Sequence, residues 1–326
     1  MKHENLAIFI PFAGCPHRCT FCDQQRITGS RAAPSVSQII TLIKNCASRP
    51  QHRADTAQIA FFGGSFTCLP EKQMIAYLEA AAPFVENGSF SGIRISTRPD
   101  GINEEILHIL CRYPVKAVEL GAQSMDPEVL RLANRGHTPE DTIKASRLIH
   151  QAGLSLGLQM LLGLPGDAKE TAYQSAVLMA ALKPEEMRLY PAVVFPKTAL
   201  YDAYIKGVYQ PLSVEEAVCW TVPIAMFLQN KGIRLLKVGL HQAEGAVAGA
   251  FHPAFGELVR TGILNKRLEK LLPPPPCRLS IRVPPRELSI ALGQKKKNLQ
   301  YWHSRGYDLH FTADPNAISL LYKQSP

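Results

Sequence analysis

The sequence lacks any apolar run that approaches the roughly 18 to 20 residues needed for a membrane-spanning helix. It also has few cysteines for its length, eight in 326 residues, which excludes a small scaffold held together by disulfides. The apolar fraction of 46% is ordinary for a globular protein and is enough for a sizeable core. We therefore expect one large domain with a smaller appendage, in a reducing, cytoplasmic setting and without a membrane partner.

Three of the eight cysteines are crowded into one short segment, CPHRCTFC. Cys15, Cys19 and Cys22 follow the spacing C-x3-C-x2-C, and no later cysteine continues the pattern. The x2 pair can converge on one metal centre, and the x3 spacing adds a third thiolate from the same loop. Structural zinc sites and most cubane clusters use four protein ligands. Three thiolates therefore favour a [4Fe–4S] cluster with one iron open to a ligand.

Two other interpretations of this segment compete with the cluster. The N-terminus faintly resembles a lipoprotein signal peptide with Cys15 as the lipidated residue. Pro11 interrupts the apolar stretch, Glu4 stands where positive charge belongs, and the other two cysteines would be unexplained. A zinc knuckle that recruits His17 as the fourth ligand is the remaining alternative.

Strand-like and helix-like segments alternate along the first 240 residues. Apolar runs predict strands at LAIFIPF, AQIAFF, GIRIST, AVELGAQS, LSLGLQMLL, MRLYPAVVF and IRLLKVGL, with amphipathic helices between them. This alternation favours an α/β fold, a full or partial (β/α) barrel with a parallel sheet. In such barrels the active site lies at the carboxyl ends of the strands.

Glycines and polar residues cluster where the predicted strands end. A Gly-Gly turn follows the second strand and exposes backbone groups that can pair with the amine or carboxylate of a ligand. Side chains near the ends of the third, fourth and fifth strands can hydrogen-bond a ribose or an adenine. Each residue alone is compatible with a purely structural role, but their common placement beside the cysteine loop favours a cofactor site formed by Gly63, Gly64, Ser65, Ser96, Gln123 and Gln159.

The segments FFGGSFTCLP, STRPD, VELGAQS, NRGHT and LLGLPG follow the cysteine motif in this order. The motif, with Phe21 before its last cysteine, resembles that of the radical S-adenosylmethionine superfamily. The ordered set resembles the radical domain of the Elongator catalytic subunit and oxygen-independent coproporphyrinogen dehydrogenase, over roughly residues 5 to 200. The resemblance implies a [4Fe–4S] cluster whose open iron binds S-adenosylmethionine. It further implies a 5′-deoxyadenosyl radical that takes a hydrogen atom from the substrate.

The chain departs from this family pattern at two positions. Ser96 replaces an acidic residue of the third strand, and Gln159 replaces an aspartate that often precedes the GLPG turn. The resemblance adds Arg135, in the NRGHT segment, to the cofactor-binding candidates. No catalytic residue is identified. The Elongator subunit also has an acetyltransferase half, which this chain is too short to hold, so we expect no acetyl transfer.

The C-terminal fifth of the chain is strongly basic. From Arg260 onward there are twelve Lys or Arg residues against four Asp or Glu residues, whereas the preceding part is nearly neutral. The proline run at 273–276 indicates a stiff boundary. We therefore divide the chain into a barrel (1–240), a linker and helical extension (241–276), and a small basic βααβ appendage (277–326). Segment 250–259 either closes the substrate cavity or packs against it.

The order of elements in the appendage resembles a minimal KH nucleic-acid-binding domain. A KH domain clamps the nucleic-acid backbone with a GxxG loop, and the second glycine of that loop is Lys296 here. A basic surface is typical of proteins that bind polyanions. Lys295, Lys296 and Lys297 are therefore the candidate nucleic-acid contacts, and the alternative is a solvated basic turn on a structural appendage.

These features together favour a radical S-adenosylmethionine enzyme that acts on RNA, specifically in tRNA modification. Flavodoxin or ferredoxin is the expected electron donor. A second hypothesis is a tetrapyrrole enzyme like coproporphyrinogen dehydrogenase, because porphyrinogens also carry acidic groups. A third is a non-catalytic protein that binds a cluster or haem.

Overall fold

The computed structural model describes residues 5–24, 26, 32–240 and 243–317, together with the backbone of 321–324. Glu4, used above against a signal peptide, lies outside the described residues. The strands in the described part are β1 (Asn5–Phe9), β2 (Gln58–Phe62), β3 (Gly92–Thr97), β4 (Val115–Gln123), β5 (Ser155–Leu162), β6 (Glu186–Pro191), β7 (Val193–Val194), β8 (Arg234–Val238), β9 (Ala248–Gly249), β10 (Cys277–Val283), β11 (Tyr307–Ala313) and β12 (Leu321–Gln324).

The helices alternate with these strands, and several begin at the capping residues that the sequence offers. Capping boxes at Ser35, Thr138 and Ser213 satisfy the first backbone N–H groups of three helices. The described helices are α1 (Val36–Ala47), α2 (Glu71–Glu86), α3 (Glu104–Cys111), α4 (Pro127–Leu132), α5 (Pro139–Gln151), α6 (Lys169–Ala181), α7 (Ala199–Ile205), α8 (Val214–Asn230), α9 (Phe255–Leu271), α10 (Leu288–Leu292) and α11 (Lys297–His303). Within the described residues, none of them has both the length and the apolar character required to cross a membrane.

Seven strands form one parallel sheet in the order β1-β2-β3-β4-β5-β6-β8. Because sequential parallel strands are joined by helices, the helices cover the outer face and the sheet curls around its inner face. The prediction of an α/β partial barrel is confirmed. Buried residues of neighbouring strands, among them Ile59, Phe61, Ile95 and Val118, build the core between sheet and helices.

The appendage is a second, smaller sheet with its own core. Strand β10 pairs in parallel with β11 and antiparallel with β12, and the helices α10 and α11 lie between β10 and β11 in the chain. Trp302 is 1% exposed at the centre of this core, and its indole N–H donates to Asn265 of helix α9 at 3.0 Å. The βααβ order predicted from the sequence is present, with β12 as an additional strand that was not predicted.

Helix α9 connects the two cores. Its residues Val259 and Ile263 pack into the barrel core, whereas Leu264 and Leu268 pack into the appendage core. Segment 250–259 contains the start of this helix, where Phe255 is 1% exposed in the barrel core. The region predicted as a linker and helical extension therefore contains a 17-residue helix shared by both cores.

Candidate active site

A cavity of about 940 Å³ opens on the inner face of the partial barrel. All ten barrel residues that the sequence proposed for cluster or cofactor binding line this one cavity, which brings together strand ends far apart in sequence. They are Cys15, Cys19, Cys22, Gly63, Gly64, Ser65, Ser96, Gln123, Arg135 and Gln159. Their individual roles remain predictions. Of segment 250–259, which is fully described, no residue lies on the cavity wall.

The cysteine loop is fixed directly onto the Gly-Gly turn. The backbone N–H of Ser65 donates to the carbonyl of Ala13 at 2.8 Å. The side-chain oxygen of Gln24 accepts from the N–H of Gly64 at 2.9 Å and also from the N–H of Phe12. The loop after β1 and the turn after β2 therefore form one rigid unit.

This close packing gives Gly64 a structural reason that the sequence did not show. A Cβ at Gly64 would lie 2.2 Å from the carbonyl oxygen of Ala13 and 2.5 Å from that of Ile10. Gly63 instead has a φ of +83°, which favours glycine, and a Cβ there would meet only ordinary contacts. Gly64 thus lets the cysteine loop approach, in addition to any contact it makes with a ligand.

The thiols of Cys15, Cys19 and Cys22 all line the cavity. Burial, followed by the proximity of Cys19 and Cys15, raises the pKa of Cys22 to about 12. The guanidinium of Arg135 donates to Cys19 Sγ at 3.0 Å, and Ser65 Oγ lies 3.5 Å from Cys15 Sγ. Among the described residues, no group of three or more His, Cys, Asp or Glu side chains is arranged so that it could hold a metal ion. The loop nevertheless carries three cysteine sulfurs beside a cation, a donor set that fits an anionic cluster.

Arg135 belongs to a buried network behind the thiols. Its Nη2 donates to the carbonyl of Gly121 at 2.5 Å, and its own carbonyl accepts from Arg98, which forms a two-point pair with Asp100. Burial, and next the charge of Arg135, lowers the pKa of His137 to about 4. His137 is therefore neutral near pH 7.

The amide side chains of Gln123 and Gln159 approach each other on the cavity wall. Gln159 Nε2 lies 3.5 Å from Gln123 Oε1, and Gln123 is 4% exposed with a φ of +66°, an uncommon conformation outside glycine. Ser96 stands opposite Glu119 in the β3–β4 register. The positions that lack the acidic residues of the resembling family thus carry neutral hydrogen-bonding groups on this wall.

The sequence did not predict a network of buried, charged side chains on the barrel strands. Glu119 Oε1 lies 2.8 Å from Arg188 Nε, and Glu119 Oε2 lies 3.6 Å from Arg94 Nη1. Arg94 also pairs with Glu186, whose second oxygen lies 2.6 Å from Arg234 Nη2. We call Arg188, Glu119, Arg94, Glu186 and Arg234 the arginine–glutamate chain. Charged residues inside predicted buried strands indicate that buried charges exist, but they do not identify which strands pair.

The three candidate lysines of the appendage do not line the cavity. Lys295, Lys296 and Lys297 are exposed between α10 and α11, and the first two have φ values of +50° and +58°. Gly293, at the start of this loop, has a φ of +68°. The loop therefore has the sharp reversal expected between the two helices, with lysines in a backbone conformation that favours glycine.

The chain is similar in sequence or in fold to several known proteins. The tRNA uridine(34) acetyltransferase of Methanocaldococcus infernus is 26% identical over 294 residues, which are 78% of this chain and 55% of that protein. The structure of Elp3 from the same archaeon, with an N-terminal deletion, has a TM-score of 0.63 at 23% identity, covering 82% of this chain and 63% of that one. Coproporphyrinogen III oxidase (HemN) from Escherichia coli has a TM-score of 0.51 at 20% identity, covering 70% and 52%. The suspected branch is confirmed.

This chain spans between 31% and 66% of the length of the first curated relatives that it matches. The model of the Radical SAM superfamily matches residues 9–178, and that of the Radical_SAM C-terminal domain matches residues 184–264. Since the first match alone covers more than half of the 326 residues, the chain belongs to the radical S-adenosylmethionine superfamily, whose enzymes use a [4Fe–4S] cluster and S-adenosylmethionine.

Proposed function

We propose that this chain is a radical S-adenosylmethionine enzyme that modifies tRNA. The observation that carries the proposal is the combination of the cavity, lined by the three cysteines, with a βααβ appendage that presents a basic loop. The archaeal relative named as a tRNA uridine(34) acetyltransferase supports RNA as the substrate class.

The residues of the cavity have distinct tasks in this proposal. When bound, the cluster and S-adenosylmethionine supply an organic radical that removes a hydrogen atom from substrate. Cys15, Cys19 and Cys22 would hold the cluster, and Arg135 would offset its negative charge. Gln123 and Gln159 would hydrogen-bond the nucleoside part of S-adenosylmethionine, since both amides line the same cavity as the cysteine loop.

The basic loop supplies affinity rather than chemistry. Lys295, Lys296 and Lys297 are exposed, and no carboxylate of the described residues forms an ion pair with them. Exposed lysines of this kind can neutralise phosphates and release condensed counterions, which gives binding that falls steeply with salt. The loop would hold the tRNA while one nucleotide reaches the cavity.

The proposal also includes a partner and a location. A flavodoxin or ferredoxin would donate the electron that the cluster needs. No disulfide joins the described cysteines, which suits the reducing cytoplasm that we propose as the location.

The test uses anaerobically reconstituted full-length protein with dithionite, S-adenosylmethionine and unmodified tRNA. We expect 5′-deoxyadenosine together with a new modified nucleoside detected by mass spectrometry, and neither product from a Cys22→Ala variant. Cleavage of S-adenosylmethionine without any tRNA product, across the full tRNA pool, would reject tRNA as the substrate. No cleavage at all would favour a non-catalytic cluster-binding protein.

A tetrapyrrole substrate is the second candidate, favoured by one observation. Arg188, Arg234 and Lys237 all line the cavity, and porphyrinogens carry carboxylates that arginines can pair with. The same assay with coproporphyrinogen III in place of tRNA separates the two. Oxidised tetrapyrrole in that reaction, with no change in tRNA, would establish the second candidate.

A further inference from the structure

The arginine–glutamate chain begins and ends with a cation on the cavity wall. Its charges alternate from Arg188 through Glu119, Arg94 and Glu186 to Arg234. Arg188 and Arg234 line the cavity, whereas Arg94 and Glu186, 2% and 1% exposed, lie behind the wall. With three guanidiniums against two carboxylates, the chain presents positive charge to the cavity.

Both terminal guanidiniums are held in place from behind and keep donors for a ligand. Arg188 directs Nε toward Glu119 and Nη1 toward Tyr190 Oη at 3.4 Å, and its guanidinium lies 5.2 Å from the centre of the Phe62 ring. Arg234 directs Nη2 toward Glu186. A guanidinium has five N–H groups, so within the described contacts each keeps further donors.

A purely structural role would not require this arrangement. A buried ion pair stabilises a fold little more than apolar packing does, because desolvation offsets the attraction. The network is also incomplete, since Glu119 Oε2, on a side chain 3% exposed, has no hydrogen-bond partner among the described residues. Glu119 lines the same cavity, so a ligand there could donate to this oxygen.

The neighbouring groups agree with an acidic ligand. Lys237 stands opposite Arg188 in the β6–β8 register and also lines the cavity. Gly157, opposite Glu119 on β5, leaves space on the Glu119 side, where a Cβ would lie 3.3 Å from Glu119 Cγ. The cations can pair with an acid, and the carboxylate can accept from a hydroxyl or N–H beside that acid.

We propose that the floor of the cavity, formed by Arg188, Arg234 and Glu119, binds an acidic group of the substrate together with an adjacent hydroxyl or N–H donor. This inference rests on the proposed function, because it assumes that the cavity holds the substrate. A phosphate would come from a nucleotide, and a carboxylate from a small organic acid or a tetrapyrrole. In either case the site would orient the acidic part of the substrate within the cavity.

The experiment measures binding to reconstituted holoprotein by anaerobic calorimetry at fixed ionic strength, with inorganic phosphate in one arm and glycolate in the other. We expect saturable binding of at least one probe. Phosphate alone would indicate a nucleotide source, and glycolate alone a carboxylic acid. Saturable binding of neither probe to the parent protein would overturn the proposal.

Substitutions of the floor residues test whether the phosphate or glycolate probe binds there. The double change Glu119→Gln with Arg188→Gln replaces the ion pair by two neutral amides, and we expect at least tenfold weaker binding. Arg234→Gln alters a side chain that is 54% exposed and should fold even if the double variant does not; we expect at least threefold weaker binding. Arg131→Gln, which alters an exposed pair with Glu128, is the matched control. Parent-like binding by every folded floor variant would overturn the proposal.

The outcome can be separated from that for tRNA modification. A variant that loses anion binding keeps the appendage loop, so it should retain most of the tRNA affinity of the parent even though the floor contact is lost. If the parent modifies tRNA but no floor variant changes anion binding, only the floor assignment fails. If the parent binds the probe at the floor yet no tRNA product forms, the tRNA proposal fails and the floor site remains.

Discussion

Arg188 lies inside the barrel with its side chain 13% exposed and 2.8 Å from Glu119, whereas Lys295 and Lys296 lie on an exposed loop with no ion pair among the described residues. The first cation is fixed in one geometry by a buried carboxylate. The other two are held only by their backbone and are surrounded by solvent. A buried, fixed cation can select the shape of one chemical group, while an exposed cation attracts any polyanion and is screened by salt.

The same contrast distinguishes the two ways in which the molecule would hold a substrate. The barrel cavity offers a small set of positioned groups, which gives specificity. The appendage offers charge density, which gives affinity for a phosphate backbone. Substitutions in the barrel cavity should therefore abolish activity, because they disturb the positions of its binding groups. Substitutions in the lysine loop should weaken nucleic-acid binding gradually, in proportion to the charge removed.

The largest effect is expected at the cluster. Cys22→Ala removes one of the three proposed sulfur ligands, so reconstituted protein should lose bound iron or retain only a labile three-iron remnant. Iron and sulfide content, with the visible absorption spectrum, measure this. Cys111→Ala alters an exposed cysteine outside the cavity and should leave the cluster unchanged. A complete, active cluster in the Cys22 variant would contradict the assignment.

Gly64→Val should give the next largest effect because it breaks the contact between the cysteine loop and the Gly-Gly turn. Its Cβ would lie 2.2 Å from the Ala13 carbonyl oxygen. We expect a loss of about 3 kcal/mol or more in unfolding free energy, along with impaired cluster assembly. Urea unfolding and iron content measure both.

Gly63→Ala is the matched control for that change. It meets no close contact and costs only the left-handed backbone, about 1–2 kcal/mol. If Gly64→Val assembled a normal cluster while losing only S-adenosylmethionine affinity, the turn would serve the ligand rather than the loop.

The sequence predicted the barrel well because each of its signals was local. Apolar runs predicted the strands and helical spacing predicted the helices, and the C-x3-C-x2-C spacing singled out the cysteine loop. Nine of the ten barrel candidates could be grouped because parallel strands end at the same edge of a sheet, whereas Arg135 was added by the family resemblance. Short elements without a strong pattern, such as α7 and β12, were missed.

The arginine–glutamate chain was not predictable for a different reason. Arg94 and Glu186 are separated by 92 residues, and only the curl of the sheet brings them together. A charge inside one strand says nothing about which strand carries its partner. The structural role of Gly64 was hidden in the same way, because the Ala13 carbonyl it accommodates belongs to another loop.

The buried side chain of His137 should make the stability of the barrel depend on pH. Its pKa is about 4 in the folded protein and near 6.5 when unfolded, since burial and Arg135 disfavour the charged ring. The unfolded chain therefore binds more protons between these values. The contribution of His137 to the free energy of unfolding should therefore be complete above pH 6.5. It should decrease by on the order of 3 kcal/mol as the pH falls toward 4.

The measurement is the unfolding free energy of parent and His137→Gln proteins between pH 4 and 8. Gln can keep the donor that faces the Ala122 carbonyl, which His137 Nε2 meets at 3.2 Å. The variant should have a flatter pH dependence through this window. Identical profiles would show that His137 does not carry the acid sensitivity of the barrel.

On the exposed side, changing Lys295, Lys296 and Lys297 to Glu should weaken tRNA binding by more than tenfold, about 1.4 kcal/mol or more. The affinity of the parent should fall steeply with salt, and that of the variant much less. Cleavage of S-adenosylmethionine without substrate should not change, because the loop lies outside the cavity. Parent-like tRNA binding at physiological salt would make the appendage purely structural.

The smallest effect separates the backbone of the loop from its charge. Lys296 has a φ of +58° and a ψ of 22°, a left-handed conformation that costs an L-residue about 1–2 kcal/mol. Glycine adopts it freely but loses about 0.5–1 kcal/mol in entropy on folding. Lys296→Gly should therefore stabilise the protein by up to about 1 kcal/mol, while lowering the salt slope of tRNA binding by slightly less than one.

Lys297→Gly is the matched control, because Lys297 begins helix α11 with a φ of −58°. It removes the same charge from a helical position, so it should destabilise the protein by roughly up to 1 kcal/mol. Urea unfolding of the full chain distinguishes the two signs, and the salt dependence of tRNA binding compares the two charges. Equal destabilisation by both changes would show that Lys296 does not strain the loop, and an unchanged salt slope in both would remove these lysines from the RNA contact.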